Sequence, residues 1–379
     1  MRSTALFGLL PLALAAPFED RRAPLHVPRG ATTGDSYIVK MKAGAPNEIG
    51  IQAIKPDADQ EFTNLSAFSA TLDDEDLEQL RLNPQVEFVE KEQELSIFAS
   101  VTQTNATWGI ARLSSTSSGA ATYTYDDVAG EGACAYVIDT GVDGTHPEFE
   151  GRASLVANTI DSDPLDRNGH GTHVAGTIAS KTYGVAKKST VFGVKAFGPT
   201  GSSNTSILVA AMDFVLGDFP SKASLCPKGI IVNMSLGGPT SPAMDDAATA
   251  LVNAGLAVAV AAGNGARDAS AISPARVPSV CTVGSTDVND QAGSSSNYGT
   301  SVDIHAPGVN ILSTIPDGRT ALSTGTSMAT PHVAGLMAYY LALDATTPSA
   351  ACEYLVANAL SGRITSLKGT TKNLLAHLV

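Results

Sequence analysis

Charge is scarce in this chain of 379 residues: only 16% are Asp, Glu, Lys or Arg. What charge there is runs negative, 37 acidic residues against 24 basic, for a formal net charge of −13. That balance disfavours a nucleic-acid partner or an anionic membrane surface. Cysteine is equally sparse. Cys134, Cys226, Cys281 and Cys352 are the only four, and none stands in a Cys-x-x-Cys spacing, which argues against a structural zinc site. His170 and His173 lie three apart, but no His-Glu-x-x-His pattern and no third ligand accompany them. Long apolar runs are missing too. The run at 5–14 is too short to span a bilayer, and the one at 256–262 suits a buried strand. Finally, Gly-x-Ser-x-Gly does not occur, which removes the sequence signature of an α/β-hydrolase esterase or lipase.

What is present is a chain 43% hydrophobic with 35 glycines, a composition for a compact, loop-rich α/β protein rather than a disordered one. Arg2, the apolar run 5–14 and the small residues Ala13-Leu14-Ala15 read as a cleaved export signal at 1–15. In an exported protein an even cysteine count suggests two disulfides, with three pairings open.

Two units follow. Residues 17–34, rich in Pro, Arg and Gly, read as a lead segment. Residues 35–95 form a small α+β unit: a strand at 35–41, a helix at 73–82 with acids in its first turn, and a half-buried strand at 86–90. The polar stretch 96–107 reads as a linker. The first 100 residues carry a net charge of −7 and the remainder −6, so acidity concentrates in the small unit. Beyond it, apolar strands at 135–138, 191–194, 230–233, 257–262 and 280–283 alternate with helices at 172–179, 205–216 and 243–254. That alternation implies a mostly parallel sheet covered on both faces, with ligands beyond the carboxyl ends of its strands.

Four residues fall at such ends or at helix starts. Asp139 follows the strand 135–138, where the plain alternative is an Asp in an Asp-Thr-Gly turn. His170 sits in Asn168-Gly169-His170-Gly171-Thr172-His173, ahead of a helix; His173 reads as packing. Asn264 ends the strand 257–262, in a sequence also suited to a left-handed turn. Ser327, in Gly325-Thr326-Ser327-Met328-Ala329, opens a helix, where it could be a simple cap. Each is weak alone. Together they are an acid, a base, an amide donor and a nucleophile.

In this order and wording the motifs resemble those of the subtilisin-like serine proteases, most nearly the secreted fungal group around proteinase K. The resemblance runs from about Thr104 to Leu375 and rests on Ile138-Asp139-Thr140-Gly141, His170-Gly171-Thr172-His173, Ser235-Leu236-Gly237-Gly238 and Gly325-Thr326-Ser327-Met328-Ala329. It implies a three-layer α/β subtilisin-like peptidase domain at 101–379, preceded by an inhibitory propeptide at 16–100 that is cut near Ser100–Val101. It implies a secreted, extracellular, monomeric endopeptidase acting on proteins and peptides through Asp139, His170 and Ser327, with Asn264 in the oxyanion hole. Substrate backbone would pair with Gly201, Ser202, Ser235, Leu236 and Gly237, and with Ala262 and Gly263, around a broad pocket for apolar or aromatic side chains.

The same resemblance implies the pairings Cys134–Cys226 and Cys281–Cys352. Val174 stands where the group often has a further, free cysteine. A calcium ion would be held by the carbonyls of Pro278 and Val280 and the carboxylate of Asp303. A second calcium site is expected to be absent, because Arg363 stands where an acid is needed. The loop 198–205 is one residue shorter than in proteinase K and lacks an aromatic, and Pro239 replaces a glycine; both alter the outer subsites. Asn105, Asn204 and Asn233 sit in glycosylation sequons, Asn233 in a buried strand. An inactive binding relative and a vacuolar destination are the competing readings; the intact set of four residues speaks against the former.

Overall fold

The computed structural model describes residues 22–28, 34–54, 58–93 and 100–379, so the leader at 1–15 and the segment 94–99 lie outside the described residues. The described residues form two compact units, one from residues 22–93 and one from residues 100–379.

The small unit is a five-stranded sheet with two helices. Ser36–Met41 pairs antiparallel with both Ala67–Thr71 and Val86–Lys91. Asp73 caps the helix Asp74–Leu82 by accepting from the Asp76 N–H at 2.8 Å, and three acids fill the first turn, which suits the positive end of the helix dipole. Val39, Met41, Phe68, Leu80 and Val89 make the core. The lead segment differs from its sequence reading. Leu25–His26 is a strand, parallel to Val89–Glu90, because the edge of a sheet offers unpaired N–H and C=O groups that another segment can bond whatever its side chains.

In the larger unit seven parallel strands run in the order Ile304–Pro307, Cys281–Thr286, Ala257–Ala261, Gly229–Met234, Ala133–Asp139, Thr190–Lys195, Ala153–Asn158, with two short strands extending the first edge. The strands alternate sides residue by residue. Ala133, Ala135 and Val137 join the core beneath the helices His170–Ala179 and Thr326–Ala342. Cys134, Tyr136 and Ile138 join the opposite core, with Met212 of Thr205–Asp218 and Leu251 of Pro242–Asn253. Both faces are buried, which is why these strands read as unbroken apolar runs.

The linker expected at 96–107 is partly a strand: Ser100–Thr104 pairs antiparallel with Thr122–Asp126. Its residues alternate between exposed and half-buried, so the hydrophobic pattern that marks a strand is absent while the ladder still forms. The order of the central strands reverses beside Ala133–Asp139, whose neighbours are Thr190–Lys195 and Gly229–Met234. That crevice is where an open parallel sheet places its ligand site.

Candidate active site

Asp139 is the last residue of its strand, with its side chain 2% exposed. His170 is the first residue of the helix His170–Ala179. Gly171 makes their approach possible: a Cβ there would lie 2.1 Å from the Gly141 carbonyl and 3.1 Å from the Asp139 Cβ. The His170 Nδ1 then stands 2.7 Å from Asp139 Oδ1, which also accepts from the Thr140 N–H. The contact places the imidazole proton on Nδ1 and leaves Nε2 as the acceptor, on a side chain that is 29% exposed. Burial lowers the basicity of His170, but the hydrogen-bonded Asp139 carboxylate outweighs it, aided by Asp166, and the imidazole lies above its ordinary value. His173 is the contrasting case. It is buried, its Nε2 faces the carbonyls of Ile311 and Ala321, and burial lowers its pKa. It packs, as its sequence position suggests.

Asp166 was not singled out from sequence. Buried within the loop before His170, its carboxylate accepts from Thr140 Oγ1, Thr172 Oγ1 and the N–H groups of Asn168, Gly169 and Thr172. It fastens the strand end that carries Asp139 to the helix start that carries His170.

Ser327 is the second residue of the helix Thr326–Ala342. The preceding Gly325 has φ 150°, and a Cβ there would meet the Asn264 amide at 3.1 Å. Only glycine suits both demands. Asn264 Oδ1 accepts from the Thr326 N–H at 2.8 Å and from Thr326 Oγ1 at 3.1 Å. With its oxygen so engaged, the carboxamide lies with its NH₂ beside Gly325 at the start of the Ser327 helix, where helix geometry leaves the first N–H groups without partners four residues back. Asn297 was also missed. Buried, it accepts from the Gly265 and Arg267 N–H groups and donates to the Ala262 carbonyl, shaping the loop after Asn264. A Ser-Asn-Tyr triplet carries no signal for such a role.

Asp139, His170, Asn264, Asn297 and Ser327 line one cleft of about 490 Å³, whereas Asp166 and His173 lie outside its lining. Of the backbone positions expected to bind substrate, Gly201, Ser235, Leu236, Gly237 and Gly263 line it. Ser202 and Ala262 do not; Ser202 closes a turn with its carbonyl to the Gly198 N–H, and Ala262 is held inside the sheet by Val283. Phe197, Ile272 and Arg267 line the cleft in addition.

Residues 130–375 match the subtilase family and residues 36–98 match the peptidase inhibitor I9 family. The chain belongs to the subtilases. It is 47% identical to proteinase R of Parengyodontium album, over 100% of this chain and 99% of that protein. It is 46% identical to a cuticle-degrading protease of Metarhizium anisopliae, over 100% and 99% respectively. The crystal structure of a cold-adapted subtilisin-like serine proteinase superposes with a TM-score of 0.68 at 40% identity, covering 73% of this chain and 99% of that one. This subtilase is a serine endopeptidase with an I9-type propeptide. Its two disulfides are Cys134–Cys226 and Cys281–Cys352.

The expected calcium ligands do not fit a cation as arranged. Asp303 Oδ1 accepts from the Lys372 ammonium at 2.9 Å, and Oδ2 accepts from the Thr282 N–H at 3.0 Å. The carbonyls of Pro278 and Val280 bring no negative charge, so a divalent ion there would face an ammonium on its one carboxylate. Among the described residues, no group of three or more His, Cys, Asp or Glu side chains is placed to hold a metal. Nor is any described helix long and apolar enough to cross a membrane.

Proposed function

We propose that this subtilase hydrolyses peptide bonds through an acyl-enzyme, with Ser327 Oγ as nucleophile, His170 as the proton acceptor and then donor, and Asp139 orienting the imidazole. The observation that carries the reading is the 2.7 Å contact from His170 Nδ1 to Asp139 in the cleft that also holds Ser327. Asp139 stabilises the imidazolium that forms as Ser327 gives up its proton. The Asn264 NH₂ and the Ser327 N–H receive the oxyanion, and His170 returns the proton to the leaving amine. Leu236, Ala261 and Ile272 line the cleft and favour an apolar or aromatic side chain beside the scissile bond.

Residues 1–15 direct export, residues 16–100 act as an intramolecular inhibitor, and the enzyme removes them itself near Ser100–Val101. The I9 match at 36–98 supports the inhibitor assignment. Ser327→Ala is the test. It should lower kcat roughly 10⁶-fold, the size known for a subtilisin, and leave the propeptide attached on a gel. Residual proteolysis near the parent rate, or a normally processed variant, overturns the assignment.

A further inference from the structure

The cleft carries one charge that its chemistry does not use. Of the described residues lining it, the charged ones besides the His170 imidazole are Asp139 and Arg267. Asp139 is buried and spent on His170 and Thr140. Arg267 is exposed, and no described carboxylate lies within ion-pair distance of it. Its neighbour Asp268 makes no ion pair with it: that carboxylate accepts from the Ser270 N–H and lies against Gly299.

Arg267 is nevertheless not a loosely tethered surface arginine. Its N–H donates to Asn297 Oδ1 at 3.1 Å, and its carbonyl accepts from the Tyr298 N–H at 3.0 Å, so its backbone is pinned on both sides. The side chain folds back over Gly265, where an added Cβ would meet Arg267 Nε at 3.2 Å and Cγ at 3.3 Å. Gly265 directly follows Asn264. A cation is thereby laid along the rim of the cleft that Leu236, Ala261 and Ile272 line with apolar surface.

We infer that Arg267 is a specificity-determining residue that admits an acidic side chain, glutamate above all, at the substrate residue preceding the scissile bond, and disfavours lysine there. A glutamate has an aliphatic stem for the apolar wall and a carboxylate for the guanidinium. A lysine of similar length brings like charge to the same rim. The inference rests on the catalytic reading above, which places that substrate residue in this cleft. Exposed ion pairs are worth at most about a five-fold change in an equilibrium, and a reversal of sign more.

The experiment compares kcat/KM on three peptide p-nitroanilides that differ only in Phe, Glu or Lys before the cleaved bond. The enzymes are the parent, Arg267→Lys, Arg267→Ala and Arg267→Glu, each quantified by active-site titration. The Glu/Phe ratio should fall about two- to five-fold in Arg267→Ala, stay near the parent in Arg267→Lys, and fall further in Arg267→Glu while Lys/Phe rises. The parent ratio should also drop in about 1 M salt, where the screening length is ~3 Å. Equal changes on all three substrates, or ratios indifferent to the charge at 267, overturn the inference. Parent enzyme that cleaves none of the three would instead overturn the catalytic reading. A variant too unstable to titrate leaves the Lys and Glu replacements to decide the matter.

Discussion

Ser327 and Ser235 bond reciprocally: Ser327 Oγ donates to the Ser235 carbonyl at 3.1 Å, and Ser235 Oγ donates to the Ser327 carbonyl at 2.9 Å. The second bond has a cause four residues further on. In a helix the Ser327 carbonyl would accept from the N–H of residue 331, but that residue is Pro331, which has none. The hydroxyl at the end of the strand Gly229–Met234 fills the gap and ties the nucleophile's helix to the sheet.

Ser235→Ala should therefore leave a half-buried carbonyl without this donor, costing about 1 kcal/mol of stability, and should lower kcat by misplacing Ser327. Adding Pro331→Ala restores the missing helical donor and should recover part of both losses. Thermal melts in a Ser327→Ala background, and kcat in the active one, check this. Strict additivity of the two substitutions would show that the carbonyl is not what couples them.

Asn264→Ala should lower kcat about 10²–10³-fold with KM little changed, the range known for this donor in a subtilisin. Asn264 Oδ1 also holds the Thr326 N–H, so Asn264→Asp keeps that anchor while losing the donor. The two variants should fall alike. A large recovery in Asn264→Asp would assign Asn264 to positioning the helix rather than to the oxyanion.

Activity needs neutral His170. Its pKa is raised, so the base is available only above that value, and activity should disappear as pH falls through it. The acid limb of kcat/KM should accordingly have its midpoint above the usual ~6.5. Asp139→Asn removes the principal group that raises the pKa; the midpoint should move down and kcat should drop roughly 10⁴-fold. A midpoint that stays in place in Asp139→Asn would mean another group is titrating.

Calcium removal should leave the melting temperature of the Ser327→Ala protein unchanged as far as Asp303 is concerned, because Lys372 already pairs with it. Lys372→Ala frees that carboxylate oxygen for the calcium that Pro278 and Val280 are expected to help hold. In this variant calcium should raise the melting temperature relative to a chelator by more than it does in the parent. An equal or larger calcium effect in the parent would show that the ammonium does not occupy the cation's place.

Much of the architecture was legible because the signals are local. Unbroken apolar strands reveal a sheet buried on both faces, and the glycines around His170 and Ser327 mark helix starts where backbone must crowd. The placements of Asp139, His170, Asn264 and Ser327 follow from those signals and from motif order. Less visible were elements with no hydrophobic period, such as Ser100–Thr104 and Leu25–His26, whose ladders depend on a distant partner.

By itself, then, the sequence determined the fold class, the family and the residues able to do the chemistry, since each rests on periodicity or on motifs a few residues long. Only the tertiary structure decided what those residues touch. Asp166 tying Thr140 to Thr172, Asn297 bonding Ala262, the Lys372 ammonium on Asp303 and Ser235 standing in for the Pro331 donor join residues from separate elements, and the place of Arg267 at the cleft depends on the same packing. No local pattern encodes such pairs; they exist because the folded sheet brings distant segments side by side.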